Sequence, residues 1–161
     1  MKRRDFLLGA GGAVTLAPAI RAQQKAVPVI GYLSPGSPGP LAPSVAAIRQ
    51  GLSDTGYVEG QNLVIEYRWA EDHYDRLPAL AADLVGRNVD VILATGAPSS
   101  ALAAKTATST IPIVFTGGDP VAAGLVASLA RPGGNLTGMT FMEGELMPKQ
   151  VQLLSELVPQ G

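Results

Sequence analysis

The chain has 161 residues, 47% of them hydrophobic, a formal charge of −1 and no cysteine. That length is one domain's worth, and near-neutrality excludes the basic field that nucleic-acid binding requires. Without cysteine the sequence predicts no disulfide, Fe–S cluster, thiol chemistry or lipobox attachment.

Residues 1–22 read as a cleaved secretory signal. Lys2, Arg3 and Arg4 make a basic start, an apolar stretch runs to Leu16, and small residues follow at Ala17, Ala19 and Ala22. Arg3-Arg4 ahead of Phe6-Leu7 resembles the twin-arginine export signal; an ordinary secretory leader with two arginines is the alternative. Cleavage after Ala22 leaves 8 basic against 12 acidic residues, a formal charge of −4. The expectation is an acidic, exported, periplasmic protein with no stable membrane anchor.

Val27–Leu33 reads as a first buried strand, with Pro28 near its start where a missing donor is tolerated. Residues 34–43 form a loop dense in Pro and Gly. Ser44–Thr55 carries Val45, Ile48 and Leu52 at amphipathic helical spacing, and Gly56 closes it. Leu63–Arg68 is a second strand, Leu77–Val85 a second helix ended by Gly86, and Val89–Ala94 a third strand. Pro98–Thr108 is a small alanine-rich helix.

Ile111–Phe115 is a short apolar run rich in β-branched residues, the pattern of a buried parallel strand. Thr116-Gly117-Gly118 breaks it. Asp119 then reads as an N-cap and Pro120 as a first helical position. The spacing predicts a helix over Val121–Ala130, ended by Arg131-Pro132-Gly133-Gly134. A fifth strand follows over Gly134–Phe141, and a last amphipathic helix, Leu146–Leu157, bears Val151, Leu154 and Leu157.

Strands alternating with helices at this spacing predict an α/β fold, a doubly wound parallel sheet with helices on both faces. The expected strand order is flavodoxin-like, 2-1-3-4-5.

Two stretches carry a family resemblance. Phe115, Asp119-Pro120-Val121, Gly124-Leu125-Val126, Ser128-Leu129, Pro132-Gly133-Gly134-Asn135 and Thr137-Gly138 make one block. Gly56-Tyr57, Glu59-Gly60 and Asn62 make a turn ahead of the second strand. Both resemble the periplasmic substrate-binding proteins of ABC importers, in the group that includes tryptophan and other aromatic amino-acid binders. The resemblance implies a periplasmic-binding-protein-like lobe. Residues 27–141 would form an N-terminal ligand-binding lobe, and 142–161 a helix leading towards a second lobe missing from this sequence.

Ligands of open α/β sheets bind at the carboxyl ends of the strands. The first strand ends there with Tyr32 and Ser34, the third with Thr95, Gly96, Ser99 and Ser100, and the fourth with Thr116, Gly117 and Asp119. These nine are the candidate ligand-binding residues. Hydroxyls and free N–H groups at the start of the third helix suit a carboxylate, since a helix N-terminus attracts anions. Each has a plainer reading beside this one: Ser99 or Ser100 as a cap, Asp119 as an N-cap, Tyr32 as partly buried core. Asn135 and Thr137 serve turn and strand geometry. Trp69, the only tryptophan, is left open among surface, core and ligand-stacking roles.

Catalysis is not expected. His73, the only histidine, lies in the solvated run Glu71-Asp72-His73-Tyr74-Asp75, whose neighbours share no helix face. No G-x-S-x-G elbow and no P-loop pattern is present. The expected function is capture of a small solute, an amino acid among the candidates, between two lobes for an ABC permease in the inner membrane. No metal or cofactor is expected. The alternatives are a periplasmic sensing module for a signalling partner and an exported flavodoxin-like enzyme.

Overall fold

The computed structural model describes residues 27–130, 133–140 and 143–157. The predicted leader over 1–22 and the predicted helix stop at Arg131-Pro132 lie outside them. The elements in chain order are β1 (Val29–Ser34), α1 (Ala42–Asp54), β2 (Val64–Trp69), α2 (Leu77–Gly86) and β3 (Val91–Ala94). Then come α3 (Pro98–Ala107), β4 (Ile113–Thr116), β5 (Leu136–Met139) and α4 (Glu143–Leu157). A 3₁₀ turn at Tyr74–Arg76 leads into α2.

Every strand pairing is parallel and the order is β2-β1-β3-β4-β5, the order that the sequence predicts. Side chains in one register row share a face, so Leu33, Ala94 and Phe115 point together, as do Ile92, Ile113 and Leu136. Against this face α2 sets Leu77, Ala81 and Leu84 at spacings of four and three residues. α3 adds Ala101 and Ala104, and these residues make one buried core. Each large apolar side chain buried there contributes about 1.5–3 kcal/mol.

The opposite face is covered more sparsely. Over β1 and β2 it carries Tyr32 and Tyr67 in one register row and Ser34 and Trp69 in the next. α1 lies over these aromatics, its Arg49 guanidinium 5.6 Å from the Tyr67 ring centroid. Val45 is the one buried residue of α1.

The predicted helix Val121–Ala130 is not formed; the segment is a series of turns. Its first turn starts as the sequence suggests. Asp119 Oδ1 accepts the N–H groups of Val121 and Ala122 at 2.9 and 3.0 Å, and the Ala123 N–H bonds to the Asp119 carbonyl at 3.0 Å. Gly124 then adopts φ +68° and ends the turn. Leu125 and Val126, 1% and 6% exposed, drop into the core. The Gly124 and Leu125 carbonyls, which a continuing helix would use, accept instead from Lys105 Nζ at 3.3 and 2.8 Å. Burial of two side chains, with the hydrogen bonds from one exposed ammonium, thus outweighs helix propensity, which Gly124 already weakens.

Beyond β5, α4 keeps its apolar residues in solvent: Met147, Val151, Leu154 and Leu157 are all exposed. Among the described residues no helix is long and apolar enough to cross a membrane.

Candidate ligand-binding rim

The carboxyl ends of β1, β3 and β4 are tied together by two glycine contacts. A Cβ built on Gly96 would stand 3.1 Å from Pro35 Cδ and 3.6 Å from Ser34 Oγ, so the β3 loop lies flat on the β1 loop. Gly118, at φ +65°, has no room at all. A Cβ there would come within 2.6 Å of Pro98 Cγ, at the start of α3. The Gly117 N–H pairs with the Met139 carbonyl at 2.9 Å and the Thr140 hydroxyl donates to the Gly118 carbonyl, fixing the β4 loop to the end of β5. Loops distant in sequence therefore meet at one rim.

The nine candidate residues fare differently there. Ser34 is fully buried, and its Oγ accepts the Gly36 N–H at 3.3 Å, bracing the turn after β1. Tyr32 is 2% exposed and lies among the aromatics beneath α1, its ring centroid 4.8 Å from that of Trp69. Thr95 Oγ1 donates to the Tyr32 phenol oxygen at 3.0 Å, so these two candidates partner each other. Gly96 is exposed at the rim and Thr116 and Gly117 are half-buried. Asp119 spends one carboxylate oxygen on its capping bonds, which is the plainer of the two readings.

Ser99 and Ser100 open α3 and stand apart from the rest. Both hydroxyl oxygens are buried and have no hydrogen-bond partner among the described residues, and Ser100 as a whole is 0% exposed. Ser99 also lines a recess between α2 and α3 with Tyr74, Leu77 and Leu102. A buried hydroxyl without a partner costs about 1–3 kcal/mol. Capping does not explain them, since the α3 N-cap is Ala97 and no side chain caps that helix.

Three contributors were not singled out from the sequence. Pro35 and Pro98 act as spacers against which the glycines close. Lys105 fixes the segment after Asp119 from the far side of α3, and a lone lysine inside an alanine-rich helix was the available signal. Asn135, read from sequence as serving turn geometry, donates to the Thr108 and Ile111 carbonyls at 3.2 and 2.6 Å and so pins the entry to β4. The Glu71–Asp75 run offers Glu71 to Arg76 at 2.9 Å.

With this geometry in view, comparison with known proteins places the chain. The model of the ABC transporter substrate binding protein family matches residues 37–161, and the chain belongs to that family. It is 38% identical over 111 residues to a tyrosine-binding protein of Clostridioides difficile, covering 68% of this chain and 31% of that protein. Among solved structures it resembles a conserved domain protein of Vibrio cholerae with TM-score 0.75 and 33% identity, over 83% of this chain and 45% of that one. A ligand-free, open substrate binding protein with adhesive properties from Clostridium difficile gives TM-score 0.71 and 31% identity, with the same coverage. An ABC domain in complex with L-Trp from Streptococcus pneumoniae gives 0.64 and 28%, over 70% of this chain and 38% of that one. The chain thus spans less than half the length of each of these relatives.

Proposed function

We propose that this chain is the N-terminal lobe of a periplasmic solute-binding protein that delivers an amino acid to an ABC permease. The observation that carries the reading is the pair of partnerless hydroxyls, Ser99 and Ser100, in the first turn of α3 at the carboxyl rim of the sheet. A carboxylate placed there gains the Ser100 hydroxyl, the Ser99 N–H and the positive end of the helix dipole. Tyr32 and Thr95 support the rim from behind rather than touching the solute, and Gly96, Thr116 and Gly117 form its floor. The names of two relatives, one tyrosine-binding and one holding L-Trp, support an amino acid as the solute class.

The exposed stripe Met147, Val151, Leu154 and Leu157 on α4 supports the two-lobe reading. An amphipathic helix needs something to bury its apolar face, and a second α/β lobe following residue 161 would supply it. Hinged closure of two lobes would then enclose the solute. Residues 1–22 would direct export, with twin-arginine or ordinary secretory targeting both compatible with the leader.

Calorimetric titration with L-tyrosine and L-tryptophan tests this. A two-lobe site of micromolar affinity is worth about 8 kcal/mol, and one lobe keeping about half of that binds near millimolar. Ser100→Ala separates binding from folding. Because the Ser100 oxygen has no partner among the described residues, the variant keeps or gains stability while the titrated affinity falls. Micromolar binding by the 161-residue chain would rule out the need for a second lobe. Unchanged affinity in Ser100→Ala would remove the α3 N-terminus from the site.

A further inference from the structure

A second recess lies on the other side of the sheet, between the first half of α1 and the carboxyl end of β2. It has a volume of about 250 Å³ and is lined by Pro38, Ala42, Val45, Arg49, Tyr67 and Trp69. The Tyr67 and Trp69 rings are stacked, parallel to within 1° with centroids 6.0 Å apart, and together they line one wall of the recess. Tyr32 backs both rings at 5.4 and 4.8 Å and holds them in place.

Arg49 is fixed at this wall by one nitrogen only. Its Nε donates to the Tyr67 phenol oxygen at 3.2 Å and lies 2.6 Å from Glu59 Oε2. Neither terminal Nη group donates to a described residue, and half of the side chain is exposed. The outer fork of the guanidinium, the part that matches a carboxylate with two parallel bonds, is therefore left open. Glu59 offsets part of the charge, so a singly charged anion is accommodated better than a dianion. α1 itself has one buried residue, Val45, so a molecule bridging α1 and β2 adds packing that the helix lacks.

We propose that this recess binds a small aromatic carboxylate, its ring against Trp69 and Tyr67 and its carboxylate on the two Nη groups of Arg49. The ring contributes stacking and apolar burial, and the fork sets orientation. The site is independent of the rim at α3 and does not rest on the solute proposed there.

Trp69 is the only tryptophan in the chain and lines this recess, so its emission reports on it. Titration of the protein with benzoate is expected to change that emission saturably. Benzyl alcohol, which lacks the charge, and cyclohexanecarboxylate, which lacks the aromatic face, bind more weakly. Arg49→Gln weakens benzoate by about tenfold or more, the loss of a charge-assisted pair, and Arg49→Lys falls between. Arg49 is on the surface, and far-ultraviolet circular dichroism confirms that each variant folds. Ser100→Ala leaves the benzoate titration unchanged. Linear, unsaturable quenching overturns the proposal, as does equal binding of benzyl alcohol or indifference to Arg49→Gln. Loss of the benzoate response in Ser100→Ala also overturns it, since that result assigns benzoate to the rim.

Discussion

Thr95 Oγ1 lies 3.0 Å from the Tyr32 phenol oxygen, a hydrogen bond between two buried side chains on adjacent strands. It ties the end of β3 to β1 and stacks Tyr32 on the aromatic pair of β2. Two residues that the sequence marks as ligand contacts satisfy one another within the lobe.

Tyr32→Phe removes the acceptor and leaves the Thr95 hydroxyl buried alone. The expected cost is about 1–2 kcal/mol of folding stability, read from the shift in urea midpoint at unchanged slope. Solute affinity at the rim changes little, because the ring and the β3 backbone stay in place. A large loss of affinity with unchanged stability would instead make the phenol a direct contact.

Gly118→Ala introduces a methyl group where φ is +65° and Pro98 stands 2.6 Å away. The strain of a non-glycine residue there is about 1–3 kcal/mol, and the clash with a proline ring adds to it. The expected outcome is a lower denaturation midpoint together with weaker solute binding, since the same movement displaces α3. Wild-type stability in this variant would show that the β4 loop is not seated on Pro98.

Lys105→Met strips two carbonyls, at Gly124 and Leu125, of their donor. The predicted loss is about 1–2 kcal/mol, allowing for the exposure of the ammonium. Limited proteolysis locates the effect, because cleavage should rise within residues 119–130 before anywhere else in the lobe. Uniform acceleration along the chain would argue against a local clamp.

Two groups set expectations for pH. Burial raises the Tyr67 phenol above the ordinary 10.0, despite the hydrogen bond from Arg49 that lowers it. The fold prefers the protonated phenol, so this contribution is complete below pH 10.0 and is lost as pH rises through the higher folded value. The hydrogen bond from Arg68, reinforced by Arg87, lowers the Asp83 carboxyl below its ordinary 3.8. Its contribution is present above that value and disappears as pH falls through the folded one. Phenolate absorbance, compared between wild type and Tyr67→Phe, isolates the first; a Tyr67 component at or below pH 10.0 would contradict it.

Much of the lobe is legible in the order of residues. Short aliphatic runs such as Ile111–Phe115 and Val89–Ala94 are readable as strands because a parallel strand covered on both faces has no room for polar residues. Their boundaries move by one or two residues, as β1 does in extending to Ser34 opposite Trp69. Asp119 is legible as a cap for a similar reason, since its carboxylate answers only its own neighbours. The helix predicted after it depends on partners outside the segment, and there the local pattern misleads.

Periodicity, punctuation by Gly and Pro, and the strand–helix alternation are sufficient for the α/β class, while the 2-1-3-4-5 order is expected only by likeness to flavodoxin-like sheets. They act through backbone propensity and burial of one face, which are local quantities. The pairing of Thr95 with Tyr32, the orphaned hydroxyls of Ser99 and Ser100, and the open fork of Arg49 are decided by tertiary structure alone. Each depends on whether a polar atom meets a partner tens of residues away, and a buried hydrogen bond formed or missed is a property of the folded packing.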